Sequence, residues 1–188
     1  MANLLKAIAF AQQLQRNTVT TGNIVVDATA GKGYDTAFLA SLVGEQGMVY
    51  AFDIQEQALV WTKERLLDAG LEKRVRLIHA GHEQMLDYLD SPIQAVMFNL
   101  GYLPGRDHDV VTQPETTVRA IQAASQLLAV GGIITVVIYP GHAGGKEEQN
   151  LVEAYVGTLP QQRFIVMHYQ ILNQVNNPPL LIAIEKIA

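Results

Sequence analysis

"RFIVMHYQILNQVNNPPLLIAIEKI", residues 163–187, holds two apolar runs of strand type, 163–171 and 180–187. Only the eight residues Leu172–Pro179 separate them. Joining two parallel neighbours takes a crossover of a dozen or more residues, usually a helix. Eight residues make a turn, so the final strand must run antiparallel to its predecessor.

Upstream the chain alternates instead. "IVVDA" (24–28), "MVYAFDI" (48–54), "VRLIHA" (75–80), "QAVMFNL" (94–100) and "IITVVIY" (133–139) read as buried strands. Helices are predicted between them, over about Asp35–Val43, residues 56–70, Glu83–Leu89, Pro114 to Gly131-Gly132, and Lys146–Thr158. Gly70 and the Gly131-Gly132 pair serve as helix stops, and Pro114 suits a first helical turn. Near-continuous apolar strands alternating with helices imply a parallel sheet covered on both faces. The expected fold is α/β with seven strands, mostly parallel, the last antiparallel, and helices on both faces. An ordinary dinucleotide-binding half would continue with parallel strands. The closing hairpin resembles the Rossmann-like fold of class I S-adenosylmethionine (SAM)-dependent methyltransferases.

The 188 residues suit one domain, 1–188, opening with a helical segment over 1–20 that either covers the site or packs on the sheet. Apolar residues make up 49% and charged residues 16%, a globular composition. With no cysteine, disulfides, thiolate metal sites and cysteine nucleophiles are excluded. The start lacks the long apolar stretch of a signal peptide, and no run approaches ~18 apolar residues. A soluble, unprocessed, cytoplasmic protein is expected. The formal charge of −5 argues against general nucleic-acid affinity, which needs clustered Lys and Arg. Lys73, Arg74 and Arg76 form the tightest basic cluster and read as a solvated turn.

In an open parallel sheet, ligands sit beyond the carboxyl ends of the strands. The first strand delivers Asp27 into "ATAGKG" (28–33), whose small residues let backbone approach a ligand closely. A dinucleotide fingerprint would place a third glycine where this chain has Thr36. An acid before the loop repels a pyrophosphate and attracts the ammonium of a methionine moiety, directly or through water, which favours SAM over NAD. Asp53 ends the second strand, where an acid accepts hydrogen bonds from a ribose diol, and Ile54 follows it against an adenine face. The third strand ends in Gly81-His82, so the adenine amine is expected to meet backbone or imidazole. Taken singly, Asp27 and Asp53 read equally well as caps; their joint spacing favours an adenosine site. His79 and His82 have His-x-x-His spacing without a third ligand, and no metal site is expected.

The fourth strand ends "NLGYLPG" (99–105), a loosened form of the N-P-P-Y turn of amine-directed methyltransferases. In that turn the Asn side chain accepts hydrogens from the target amine and the aromatic packs on the target base. The fifth ends "YPGHAGGKEE" (139–148), where His142 is a candidate proton acceptor or substrate contact, or a solvent-facing loop residue.

With "DATAGKGYDT", "FNLGYLPGRDH" and "YPGHAGGKEE" together, the chain resembles a family of small bacterial class I methyltransferases, the MnmM/YtqB type, long labelled rRNA methylases. The resemblance runs from about residue 4 to the last strand. It implies SAM-dependent methylation of 5-aminomethyl-2-thiouridine at the tRNA wobble position, in the anticodon region, by a homodimer. It also implies that Asp27, Thr29, Gly31, Gly33, Asp53, Gln55, His82 and Asn99 line the cofactor. Tyr102, Arg106, Tyr139 and His142 would face the acceptor, with Asn99, Tyr102 and His142 in catalytic roles. Lys32 stands where the family is expected to carry Asn, a tolerable change if that contact is through backbone. Alternatives are methylation of rRNA or a small molecule, an NAD(P)-dependent oxidoreductase, and a non-catalytic SAM- or RNA-binding module.

Overall fold

A computed structural model describes residues 4–101, 112–141 and 144–188. In chain order the elements are α1 (Ala7–Thr18), β1 (Ile24–Asp27), α2 (Tyr34–Val43), β2 (Met48–Asp53) and α3 (Glu56–Ala69). They continue with β3 (Val75–His79), β4 (Ile93–Asn99), α4 (Pro114–Leu127), β5 (Leu128–Ile138), α5 (Gly145–Val156), β6 (Phe164–Tyr169) and β7 (Leu180–Lys186). Short 3-10 turns cover Glu72–Arg74 and His82–Asp87, the second where a short helix is expected.

The strands form one sheet in the order β3-β2-β1-β4-β5-β7-β6. Pairs among β1 to β5 are parallel, whereas β7 runs antiparallel to both β5 and β6. The connection from β6 to β7, ten residues in the structure (170–179), is still too short for a crossover and does what its length dictates. Strand order reverses between β1 and β4, so their carboxyl ends flank the crevice where open sheets hold ligands.

Successive strand residues point to opposite faces, and both faces are apolar. Val26, Phe52, Val96, Phe98, Ile134, Val136, Ile182 and Ile184 share one core with Ile121 and Ala124 of α4 and Val152 of α5. Their neighbours Val25, Val49, Ala95, Met97, Ile133, Val137, Leu181 and Ala183 share the other with Ala11 of α1 and Leu39 and Val43 of α2. Burial on both sides is why these strands lack polar alternation.

The segment α1 packs on the sheet. Gln15, fully buried, donates from Nε2 to the Val96 carbonyl (3.1 Å) and to Thr135 Oγ1 (2.9 Å). Phe10 meets the Tyr169 ring edge-on at 4.8 Å. One turn earlier, Gln12 reaches toward the strand ends, as described below.

One expectation is corrected. Gly131-Gly132 does not end α4, which stops at Leu127, with Leu128 already extended. The pair lies inside β5, where the register with β4 jumps from Ile93↔Leu128 to Ala95↔Ile133. Extra residues on one strand must bulge, and Gly131 supplies the left-handed conformation (φ 78°) that the bulge needs. In sequence, a glycine pair after a helical pattern cannot be told from a stop.

Gly33 faces two demands. Its φ is 77°, and a Cβ there would lie 2.8 Å from the Thr62 backbone of α3. At Gly131 a Cβ meets nothing within 4 Å, so only the conformation is strained. Overpacking of this kind costs about 2 kcal/mol, and for a chain of this size that lowers Tm by about 4–8 °C. Gly33→Ala should therefore melt about 4–8 °C below Gly131→Ala in calorimetry; equal melting temperatures would mean that α2 and α3 part without cost.

Candidate functional site

A cavity of about 490 Å³ opens at the carboxyl ends of β1, β2 and β4. Its floor is the turn from β1 to α2, which is tied from several sides. Asp53 accepts the Gly31 N–H on Oδ2 and the Gln55 N–H on Oδ1, both at 2.9 Å. Thr62 Oγ1 donates to the Gly31 carbonyl (3.2 Å) and Arg65 Nε to the Lys32 carbonyl (2.7 Å). Burial raises the Asp53 pKa, while the Gln55 and Gly31 amide donors pull it back down. A carboxylate offers about four lone-pair directions, so two remain for a ligand's hydroxyls.

Beside it, Ile54 is 57% exposed although large and apolar, and it lines the cavity. His82 lies opposite, nearly buried, with Nδ1 3.1 Å from the Ala28 carbonyl and its ring edge-on to Phe98. A carbonyl only accepts, so Nδ1 carries the proton. Burial pushes the imidazole below its ordinary pKa, leaving it neutral with Nε2 as an acceptor. His79 Nε2 contacts a different carbonyl, that of Ile54, at 2.9 Å.

The other end of the cavity is polar. Asp35, in the first turn of α2, accepts from Gln12 Nε2 on Oδ1 (3.0 Å) and from Asn99 Nδ2 on Oδ2 (3.3 Å). The Asn99 backbone N–H donates to Thr29 Oγ1 at 2.8 Å, which pins the end of β4 to the β1 turn. Asn99 Oδ1 is buried and, among the described residues, has no partner. Burial and then the Asp35 charge raise the Tyr139 pKa, and the Asn99 side chain lowers it. Near the mouth, Gly101 and Thr112 bond to each other, and Thr112 and Thr117 both donate to the buried carboxylate of Glu148.

The structure thus brings Thr29, Gly31, Asp53, Gln55, His82, Asn99 and Tyr139 to one cavity. Asp27 and Gly33 are not on its wall. Asp27, 1% exposed, accepts the Thr29 N–H (3.0 Å) and the Thr36 hydroxyl (2.6 Å) from beneath the turn. Thr36, the residue that breaks the dinucleotide fingerprint, is therefore that acid's partner. Tyr102, Arg106 and His142 lie outside the described residues. Sequence reasoning missed Asp35, Gln12 and Glu148. An acid at a helix start matches the macrodipole anywhere, and nothing local marks Asp35 as facing inward.

Comparison with known proteins agrees with this geometry. The model of the family described as "Putative rRNA methylase" matches residues 49–185, well over half of the chain. The Arabidopsis thaliana protein named tRNA (mnm(5)s(2)U34)-methyltransferase, chloroplastic, is 35% identical over 96% of this chain and 70% of its own. The crystal structure of the Clostridium thermocellum protein described as "putative rRNA-methylase" superposes with a TM-score of 0.97 at 48% identity, covering 99% of this chain and all of that one. A Streptococcus mutans protein described as "a putative methyltransferase", solved in complex with SAH, superposes at 0.91 with 41% identity, covering 98% of this chain and 99% of that one.

Asp27 also makes the fold's stability depend on pH. Burial, and next the charge of Asp35, raise its pKa from 3.8 to about 7, against the opposing pull of Thr36 and Thr29. The unfolded chain releases this proton near pH 4 and the folded chain near pH 7. Between those values the folded state binds the extra proton, so its stability falls as pH rises and levels off above 7. Asp27→Asn keeps an acceptor for Thr29 and a polar partner for Thr36 without the ionisation. From pH 5 to 8 the variant should gain about 3 kcal/mol relative to the parent in urea denaturation. Parallel stability profiles would show that Asp27 ionises freely in the fold.

Proposed function

We propose the following activity for this chain, which belongs to the family described as "Putative rRNA methylase": methylation of the 5-aminomethyl group of (2-thio)uridine at the tRNA wobble position. The enzyme is a SAM-dependent methyltransferase, and SAM fits the cavity from the adenosine end. Asp53 has lone pairs left for the ribose diol, Ile54 offers an apolar face, and neutral His82 offers an acceptor for the adenine amine. Thr29, Gly31 and Gln55 complete that wall. Bound there, SAM supplies an electrophilic methyl on a sulfonium and leaves as SAH, the molecule held by the Streptococcus mutans relative.

The observation that carries the choice of an amine is Asn99 Oδ1. Among the described residues this buried amide oxygen meets no donor; left so it costs roughly 1–3 kcal/mol, and an N–H of the substrate removes that cost. Because Asp35 holds the Asn99 amide nitrogen, the oxygen is the atom left for the substrate. An alkylammonium with a pKa near 10.4 must lose a proton before its nitrogen can attack, at a cost of about 4–5 kcal/mol at neutral pH. A neutral carbonyl-type acceptor holds the ammonium form less strongly than a carboxylate would, and it orients the lone pair of the neutral amine. Tyr139 and, beyond the described residues, Tyr102 and Arg106 would bind the acceptor, and His142 would take up the released proton.

The choice of a tRNA amine is supported by the Arabidopsis thaliana relative, whose name states that substrate. We further infer a homodimer working in the cytoplasm. Leu172 and Val175 of the closing hairpin, 88% and 80% exposed, offer apolar surface for a second copy. Among the described residues no helix is long and apolar enough to cross a membrane.

Nucleoside analysis of tRNA from cells lacking the gene tests the assignment. The methylated wobble nucleoside should vanish and its 5-aminomethyl precursor accumulate. Unchanged levels of both would refute the tRNA substrate.

A further inference from the structure

We propose that Asp35 is the anionic group that binds a primary alkylammonium in this cavity, the α-ammonium of the cofactor's methionine moiety. The inference rests on the reading of the cavity as a SAM site. A methionine moiety brings a fixed positive charge, and the turn from β1 to α2 contains two acids that could meet it. Asp27 is below the turn, off the cavity wall, with Thr29 and Thr36 donating to its two oxygens. Asp35 is on the wall, 8% exposed and held from two sides.

Both neighbours of the Asp35 carboxylate are neutral amides, Gln12 Nε2 and Asn99 Nδ2, one on each oxygen. They orient the group, and among the described residues neither brings a positive charge to it; each oxygen keeps a further lone-pair direction beyond these bonds. The Asp35 charge is felt across the site: it raises the pKa of Asp27 and of Tyr139. The positive end of α2 accounts for an acid in this turn. It does not account for side chains from α1 and β4 converging on that acid. A buried charge whose partners among the described residues are neutral is costly, and a cation arriving with the ligand offsets the cost.

Two ammonium groups come to this end of the cavity: the cofactor's and the protonated form of the target amine. Chemistry favours the first. A carboxylate on the target would stabilise its ammonium form and oppose the lone pair that must attack, whereas Asn99 Oδ1 beside it suits the neutral amine. Asn99 then divides its work, its nitrogen holding Asp35 and its oxygen meeting the acceptor.

The test compares SAH with 5′-methylthioadenosine, which has the same adenosine and thioether but no amino acid. Calorimetry on the parent and on Asp35→Asn should show SAH weakened about 10- to 100-fold, the loss expected for one charge-assisted contact, with 5′-methylthioadenosine changed less than about twofold. Gln12→Ala, which leaves the carboxylate in place, should produce a smaller loss of the same selectivity and stands in if Asp35→Asn fails to fold. Unchanged SAH affinity with a rise in KM for tRNA of about tenfold or more would assign the bound ammonium to the target amine instead, and so overturn the cofactor assignment. Unchanged SAH affinity and unchanged tRNA kinetics would overturn an ammonium site altogether. If the parent binds neither nucleoside, the cavity is not a SAM site, and the failure lies in that prior reading.

Discussion

The bond from the Thr36 hydroxyl to the buried Asp27 carboxylate, 2.6 Å long, is the constraint on which the site depends. Asp27 ends β1 and Thr36 sits in the first turns of α2, so one short contact fixes how the chain leaves the sheet. The second oxygen holds the Thr29 N–H, which places Thr29 Oγ1 to receive the backbone N–H of Asn99. In this way the end of β1 sets the end of β4. From the far side Asp53 takes the Gly31 N–H, and the two acids grip the same turn from below and from the flank. Their burial raises the pKa of each, a cost borne by the amide and hydroxyl donors that the turn supplies.

A division of labour follows between acids that look alike. Asp27 shapes the turn, Asp53 shapes it and keeps lone pairs for a ligand, and Asp35 faces the cavity held, among the described residues, by two neutral amides. The helix α1 takes part through two glutamines one turn apart. Gln15 pins it to the sheet at Val96 and Thr135, and Gln12 orients Asp35. Glu148 plays a comparable part at the mouth, receiving Thr112 and Thr117 beside Gly101.

Most of the architecture was legible because it follows from chain length and apolar runs. Ten residues between β6 and β7 permit one direction only, and strands buried on both faces show as uninterrupted Val and Ile. The Gly131-Gly132 bulge was not legible, since register against β4 is a property of two strands. At the site, topology alone pointed to Asp53, His82 and Asn99 at strand ends, and the structure brings them to one cavity with Thr29, which only the family resemblance had pointed to. The placement of Asp27 and Asp35 was not readable. Both are acids within one turn, and which one faces the cavity is decided by Thr36 and by Gln12, the latter 23 residues away in sequence. Likewise a Gln in an N-terminal helix carries no local sign of its partner.

The central claim is that this cavity moves a methyl group from SAM to an exocyclic amine of tRNA. The most direct measurement incubates the purified protein and SAM with tRNA from cells lacking the gene, followed by mass spectrometry of the nucleosides. The account predicts one added methyl on the 5-aminomethyl wobble uridine, with SAH formed in equal amount and no methyl added to rRNA. Methyl transfer to rRNA with the wobble uridine left unchanged would contradict it.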